Sequence, residues 1–182
     1  MATPQDPIAL LRGLNATRAF RPDPIPQPVV DDLLTVARWT GSARNLQPWE
    51  FVLVRERATL EALAACEGSA KHTAGAALAI VLVMAGNPDF DQQETFDEGR
   101  LSERILLAAE AHGVGGCIGW WKGDGRIAAK RLLGIPQSRL VRTEISLGYP
   151  DMEALAARPK PPQARKPLAE LLHEERYRGR GA

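Results

Sequence analysis

The sequence predicts an α+β fold, a β-sheet flanked by helices, from three observations. Two helical patterns precede the first strand-like run, and helices and strands then follow one another irregularly rather than in a strict βαβ alternation. The apolar run "AGAALAIVLVMAG" (residues 74–86) is too short to span a bilayer and reads as a buried strand. A Pro-rich tail, "RPKPPQARKP" (158–167), has no evident place to pack on its own chain. With 182 residues the chain is long enough for one domain with a sizeable core, read here as residues 1–182 with 158–182 as a C-terminal extension.

The elements follow in order. Asp6 is placed to cap a first helix, with Pro7 at its first position and Ile8, Leu11 and Leu14 on one face. "RPDPIPQP" then imposes an extended connection, because each Pro biases its predecessor away from helix. A second helix begins at Val29, with Val29, Val30, Leu33, Leu34 and Ala37 as its stripe and Gly41 beyond its end. "WEFVLVRE" (49–56) is a strand candidate, "ATLEALAACEG" (58–68) a short helix closed by Gly68, and residues 76–84 a central strand. "GNPDFDQQETF" (86–96) reads as a loop. A long helix over roughly 94–112 turns Leu101, Ile105, Ala108 and Ala109 inward and stops at Gly113. "GGCIGWW" (115–121) is strand-like; alternation turns one of Trp120 and Trp121 inward and the other outward. "DGRIAAKRLLGIP" is a capped helix with Gly134 at its stop, and "LVRTEISLGYP" (140–150) a further strand. After the tail, "LAELLHEERY" (168–177) has the pattern of a short amphipathic helix.

Composition removes several classes of function. Lys plus Arg number 23 against 22 Asp plus Glu, so no global charge selects nucleic acid or an anionic membrane. The basic residues are 18 Arg and 5 Lys, and the planar Arg fork keeps local phosphate or carboxylate sites open. Cys66 and Cys117 are too few and too far apart for a disulfide framework or a zinc ribbon. The N-terminus lacks the pattern of a signal peptide, so a reducing cytoplasm is the expectation. His72, His112 and His173 are isolated, without metal-ligand spacing, and read as surface or helix-end residues. Asp97, Glu98 and Glu103 read as solvated charges near a helix start. "GVGGCIG" (113–119) leaves a helix and enters a strand, the reverse of a Rossmann turn. Its glycines nevertheless let backbone approach a flat ligand.

The informative stretch is "TGSARNLQPWEF" (40–51). A turn needs Gly, Ser, Asn or Pro for backbone reasons, but it does not need Arg44 and Gln47 beside them. Arg18, Arg44 and Arg165 each stand at the end of a predicted element, where binding groups concentrate. Such a set suits a phosphate and a polar ring edge, although neither spacing nor periodicity brings the three together.

In order and spacing these segments resemble the nitroreductase family, the FMN-dependent oxidoreductases that reduce nitro compounds and quinones. The most specific match is "SARNLQPWEF". Weaker support comes from "TRAFRPDPIP", from "LLAAEAHGVGGCIGWW", and from "LGIP", "LGYP" and "RKPL" near the end. The resemblance implies a central, mostly antiparallel sheet and a homodimer with two FMN sites at the interface, the tail packing on the partner subunit. It implies that Ser42, Ala43, Arg44 and Asn45 line the flavin from one subunit, with Gln47 orienting that loop. It implies that Asn15 and Arg18 meet the phosphate and pyrimidine edge. The backbone from Gly116 to Trp120, including Ile118 and Gly119, is implied to lie beside the reactive edge, and Arg165 to pair with the phosphate. The family's Arg and Ser near positions 14–16 are replaced here by Leu14, Asn15 and Ala16. The implied activity is reduction of FMN by NAD(P)H and of a nitroaromatic, quinone or related small-molecule acceptor by the flavin. No catalytic side chain, metal, nucleic acid or membrane is implied. The alternatives are a different flavin chemistry of the same family, an FMN-binding or storage module with little turnover, and a flavin-free interaction protein that keeps the fold.

Overall fold

Leu78–Met84 is buried along its whole length, which makes it a central strand covered on both faces. In the computed structural model, which describes residues 6–159, 165–177 and 179, the elements in chain order are α1 (Pro7–Gly13), α2 (Gln27–Arg38), β1 (Trp49–Val54), α3 (Arg57–Ala65), β2 (Leu78–Met84), α4 (Asp91–Ala111), β3 (Gly115–Trp120), α5 (Asp124–Leu133), β4 (Leu140–Gly148) and α6 (Met152–Ala156). The four strands form one sheet in the order β1-β2-β4-β3, every pair antiparallel. An irregularity between Leu82 and Val83 shifts the β2–β4 register. β3 is therefore an edge strand.

Two apolar layers cover the sheet. On one face Ile80, Leu82, Ile145 and Leu147 pack with Val30 and Leu33 of α2 and Leu101 and Ile105 of α4. On the other, Val81, Val83 and Val141 pack with Leu60 and Leu63 of α3 and Ala129 of α5. Burial of each large aliphatic side chain is worth about 1.5–3 kcal/mol. Trp121 is fully buried and its indole N–H donates to the Leu63 carbonyl at 3.1 Å, while Trp120 stays 39% exposed, as strand alternation requires.

Three local expectations are corrected. α4 begins at Asp91, inside the stretch read as a loop. Asn87 Oδ1 accepts from the Asp89 amide, and the Glu94 carboxylate reaches back to the amides of Gly86 and Asn87, so the Gly-Asn-Pro-Asp run starts a helix rather than a long loop. α2 begins at Gln27, two residues before Val29, because Pro28 is tolerated in a first helical turn. In the tail only a 3₁₀ turn, Leu168–Glu170, replaces the helix predicted over 168–177. Its apolar residues find no core on their own chain: Leu168, Leu171, Leu172 and Tyr177 are all exposed, and a short helix without a packed face is marginal. The short helix α6, capped by the Asp151 carboxylate on the Ala154 amide, was not anticipated. Among the described residues no helix is long and apolar enough to cross a membrane.

Candidate functional site

The segment after α1, the face of α4, the edge of β3 and the C-terminal extension enclose a cavity of about 520 Å³. Asn15, Arg18, Glu103, Cys117, Ile118 and Arg165 are among its lining residues. Four residues that the sequence scattered over 150 positions, Asn15, Arg18, Ile118 and Arg165, thus meet in one place. Among the described residues neither Arg18 nor Arg165 takes part in an ion pair, and the Glu103 side chain lines the same cavity. Asn15 turns its amide to the Gly13 carbonyl at 2.6 Å.

Strand geometry determines what β3 presents. On its outer edge the Gly116 carbonyl accepts from Thr17 N at 2.8 Å and the Trp120 carbonyl from Ser69 N at 2.7 Å. In an antiparallel pair the backbone groups of alternate residues point the same way. Ile118, midway between these two, therefore turns its N–H and C=O outward as well, beside the cavity its side chain lines. The glycines of β3 are explained by contacts within the chain. A Cβ on Gly115 would meet Thr17, one on Gly116 would meet Leu106 Cδ2 at 2.6 Å, and one on Gly119 would collide with the Glu144 carboxylate.

Behind β3 lies a buried polar group that the sequence reading missed. Glu144 is fully buried; its Oε1 accepts from the Thr73 hydroxyl at 2.6 Å and its Oε2 has no partner among the described residues. Burial pushes this carboxyl up to about 8, and the Thr73 hydrogen bond offsets only part of that. Next to it His72 Nδ1 lies 2.6 Å from the Ser146 hydroxyl, which in turn donates to the Cys117 carbonyl at 3.2 Å. His72 is thus half-buried rather than a surface residue. Burial, and after it the Arg18 guanidinium, lowers its pKa below the ordinary value. Burial raises the Cys117 thiol, with Arg18 working against it, so Cys117 stays a thiol near neutral pH. The signal available in the sequence was a Glu and an Arg, two charged residues, inside the strand of "LVRTEISLGYP".

The predicted binding loop is built differently. Ser42 is extended, and Arg44, Asn45 and Gln47 all have left-handed backbone, with φ of 52°, 54° and 48°. Asn tolerates this region, whereas Arg and Gln there cost roughly 1–3 kcal/mol each. Hydrogen bonds offset the strain: Asn45 N to Ser42 O at 3.0 Å, Leu46 N to Ala43 O at 3.1 Å, and Gln47 N to Ser42 Oγ at 2.8 Å. The Gln47 side-chain amide donates to the Asn45 carbonyl at 3.3 Å, a bond within the loop itself. Arg44 lays its guanidinium 5.6 Å from the Phe90 ring centre. Ala43 N donates to Asp97 Oδ2 at 3.0 Å. Asp97 and Glu98, expected to be solvated, are both only 3% exposed. Glu98 pairs with Arg142 at 2.5 Å, and Arg142 lies over the Trp120 ring. Asp97 is buried beneath the loop, whereas Glu98 is buried against Arg142 of β4.

On one chain the two groups stay apart. Ala43 lines an apolar cavity of about 230 Å³ with Phe90 and Asp97, and Asn45 and Gln47 line another with Arg38 and Trp39; neither includes Arg18 or Arg165. Among the described residues no group of three or more His, Cys, Asp or Glu side chains gathers to hold a metal ion.

Comparison with known proteins agrees with this architecture. Residues 12–149 match the family model described as the nitroreductase family. A relative from Archaeoglobus fulgidus is 33% identical over 130 residues, covering 68% of this chain and 74% of its own. The oxygen-insensitive NADPH nitroreductase of Salmonella typhimurium is 29% identical over 184 residues, covering 93% of this chain and 74% of its own. The FMN-dependent nitroreductase of Clostridium difficile superposes with a TM-score of 0.76 at 21% identity, covering 93% of this chain and 99% of that one, which shows a shared fold. The chain belongs to the nitroreductase family.

Proposed function

We propose that this chain is an FMN-dependent oxidoreductase in which NAD(P)H reduces the flavin and the flavin reduces a nitroaromatic, quinone or related conjugated small molecule. The observation that carries the reading is the cavity in which Arg18 and Arg165, in no ion pair among the described residues, stand beside the outward amide of Ile118. Two guanidinium groups fit a phosphate, and an edge amide fits a ring acceptor atom. The Salmonella relative is named an NADPH nitroreductase and the Clostridium protein FMN-dependent, which supports the same cofactor and reductant here.

FMN, when bound, supplies the two-electron chemistry. The chain's own residues bind and orient it. Arg18 and Arg165 hold the phosphate and the pyrimidine edge, each charge-assisted hydrogen bond being worth ~1.5–3 kcal/mol. Ile118 N–H would donate to the ring, and Leu106 and Ile118 supply apolar lining beside it. No side-chain acid or base is assigned. The Ser42–Gln47 loop lines other surfaces of its own chain, so in this reading a second copy supplies that loop to close each site. A homodimer of this kind also gives a partner surface to the exposed Trp39, Leu46 and Phe96, and to the apolar residues of the tail. Cytoplasmic residence is part of the same proposal.

The deciding test is anaerobic. Purified protein is expected to be yellow, to release FMN on denaturation, and to bleach on mixing with NADH or NADPH in a stopped-flow instrument. Colourless protein that takes up no FMN would overturn the reading, and a yellow protein that neither nucleotide bleaches would overturn NAD(P)H as reductant and leave a binding module or a flavin chemistry with another reductant.

A further inference from the structure

Three consecutive observations on α4 concern the left-handed loop rather than the ligand. Asp97 is 3% exposed, and its Oδ2 accepts from Ala43 N at 3.0 Å, the first amide of the strained segment. Its other oxygen faces Arg100 Nη1 at 3.4 Å. The same guanidinium occupies the space over Gly41, where a Cβ would stand 2.8 Å from Nη2. One acid–base pair, set three residues apart on a single helix face, therefore grips the loop on both sides of Ser42. Every other hydrogen bond named for the loop closes within residues 42–47 and travels with it if it moves; the Asp97 bond ties it to the core.

We infer that Asp97 is a positioning residue whose buried carboxylate, steadied by Arg100, holds the Ser42–Gln47 loop in its left-handed, ligand-ready form. This rests on the reading that the loop contributes to the FMN site. A loop with three non-glycine residues at positive φ has a relaxed alternative close in energy. A carboxylate that accepts a backbone amide out of water makes a charge-assisted bond, and losing it releases the loop to that alternative. Binding then weakens by the fraction of time the loop spends relaxed.

The test measures the loop and the ligand separately, on the full chain. Hydrogen exchange reads the amides of Ala43, Asn45, Leu46 and Gln47 without flavin, and fluorescence quenching reads FMN affinity. For Asp97→Ala, loop exchange is expected to accelerate and FMN affinity to fall, each by about tenfold or more, with exchange in β2 and β4 unchanged. Asp97→Asn, which keeps an acceptor oxygen, is expected to restore both to within about threefold of the parent. Ala43→Pro removes the same bond from the other end. Ser42 is already extended, with φ −134° and ψ 160°, as a residue before proline prefers. This variant keeps the inference testable if Asp97→Ala fails to fold, and it too is expected to speed exchange at Asn45, Leu46 and Gln47. If both single variants fold, their double variant is expected to lose no more loop protection than either alone. Parent-like loop exchange in Asp97→Ala or in Ala43→Pro overturns the inference. A parent protein that binds no FMN overturns the functional reading instead, and the exchange measurements still decide the role of Asp97.

Discussion

The Ser42–Gln47 loop and the Arg18–Arg165 cavity are each backed by a buried carboxyl, and the two acids are treated in opposite ways. Asp97 beneath the loop accepts a backbone amide and faces Arg100. Glu144 behind β3 receives one hydroxyl and leaves an oxygen without a partner among the described residues. The loop's conformational cost is met inside the folded chain, by bonds that exist before any ligand arrives. The two guanidinium groups of the cavity make no ion pair among the described residues, although Glu103 lines the cavity with them. In the proposed reading the loop half is preorganised and the cavity half gains its stabilisation on binding.

The largest expected effect belongs to Glu144. Its folded-state pKa of about 8 stands above the ordinary value of 4.5. The native state therefore keeps its proton where the unfolded chain has lost it, and stability declines from about pH 4.5 towards 8. Glu144→Gln, which preserves an acceptor for Thr73, is expected to remove that decline and to stabilise the protein at pH 8 by on the order of a few kcal/mol. Urea unfolding of both proteins at pH 5 and pH 8 measures it. Equal pH dependence in the two would show that Glu144 is not the protonated group, and the contrast between the two acids would collapse.

Next come the cavity cations. Arg18→Ala and Arg165→Ala are each expected to weaken FMN binding by roughly 10- to 100-fold, the worth of one charge-assisted hydrogen bond, without lowering the melting temperature of the ligand-free protein. Isothermal titration at two ionic strengths checks both points, since affinity carried by exposed charges falls as salt rises. In the loop the order reverses. Ser42→Ala removes the hydroxyl that holds Gln47 N and is expected to cost about 0.5–1.5 kcal/mol of stability before any ligand is added, read by thermal melting. If cavity substitutions lowered ligand-free stability more than Ser42→Ala did, the division between prepaid and ligand-dependent halves would be wrong. The smallest effect is expected at Lys71, exposed beside the half-buried His72: Lys71→Ala should lie within about 0.5 kcal/mol of the parent in unfolding free energy.

The motif that carried the family resemblance was legible in the sequence, and the family it points to is the one the chain belongs to. The motif's left-handed backbone was not, because Arg and Gln carry no signature of positive φ as Gly and Asn do. The charged run "ETFDEGR" (94–100) was misread for a related reason. Carboxylates in a first helical turn are usually solvated, and only the packing of α4 under two loops and against Arg142 of β4 turns Glu94, Asp97 and Glu98 into buried acceptors.

By itself the sequence determined the α+β class, the apolar stripes of α2 and α4, that one of Trp120 and Trp121 turns inward and the other outward, and the presence of residue types that suit a phosphate and a polar ring edge. Those follow from periodicity, from strand alternation and from side-chain chemistry, all of which act within a few residues. Only the tertiary structure decided that Asn15, Arg18, Ile118 and Arg165 share a cavity, that Ile118 turns its amide outward, and that Asp97 and Glu144 lie buried behind the two halves. Each depends on which strand becomes an edge and which helix covers it. That choice is made by long-range packing between segments far apart in the chain, and no local pattern encodes it.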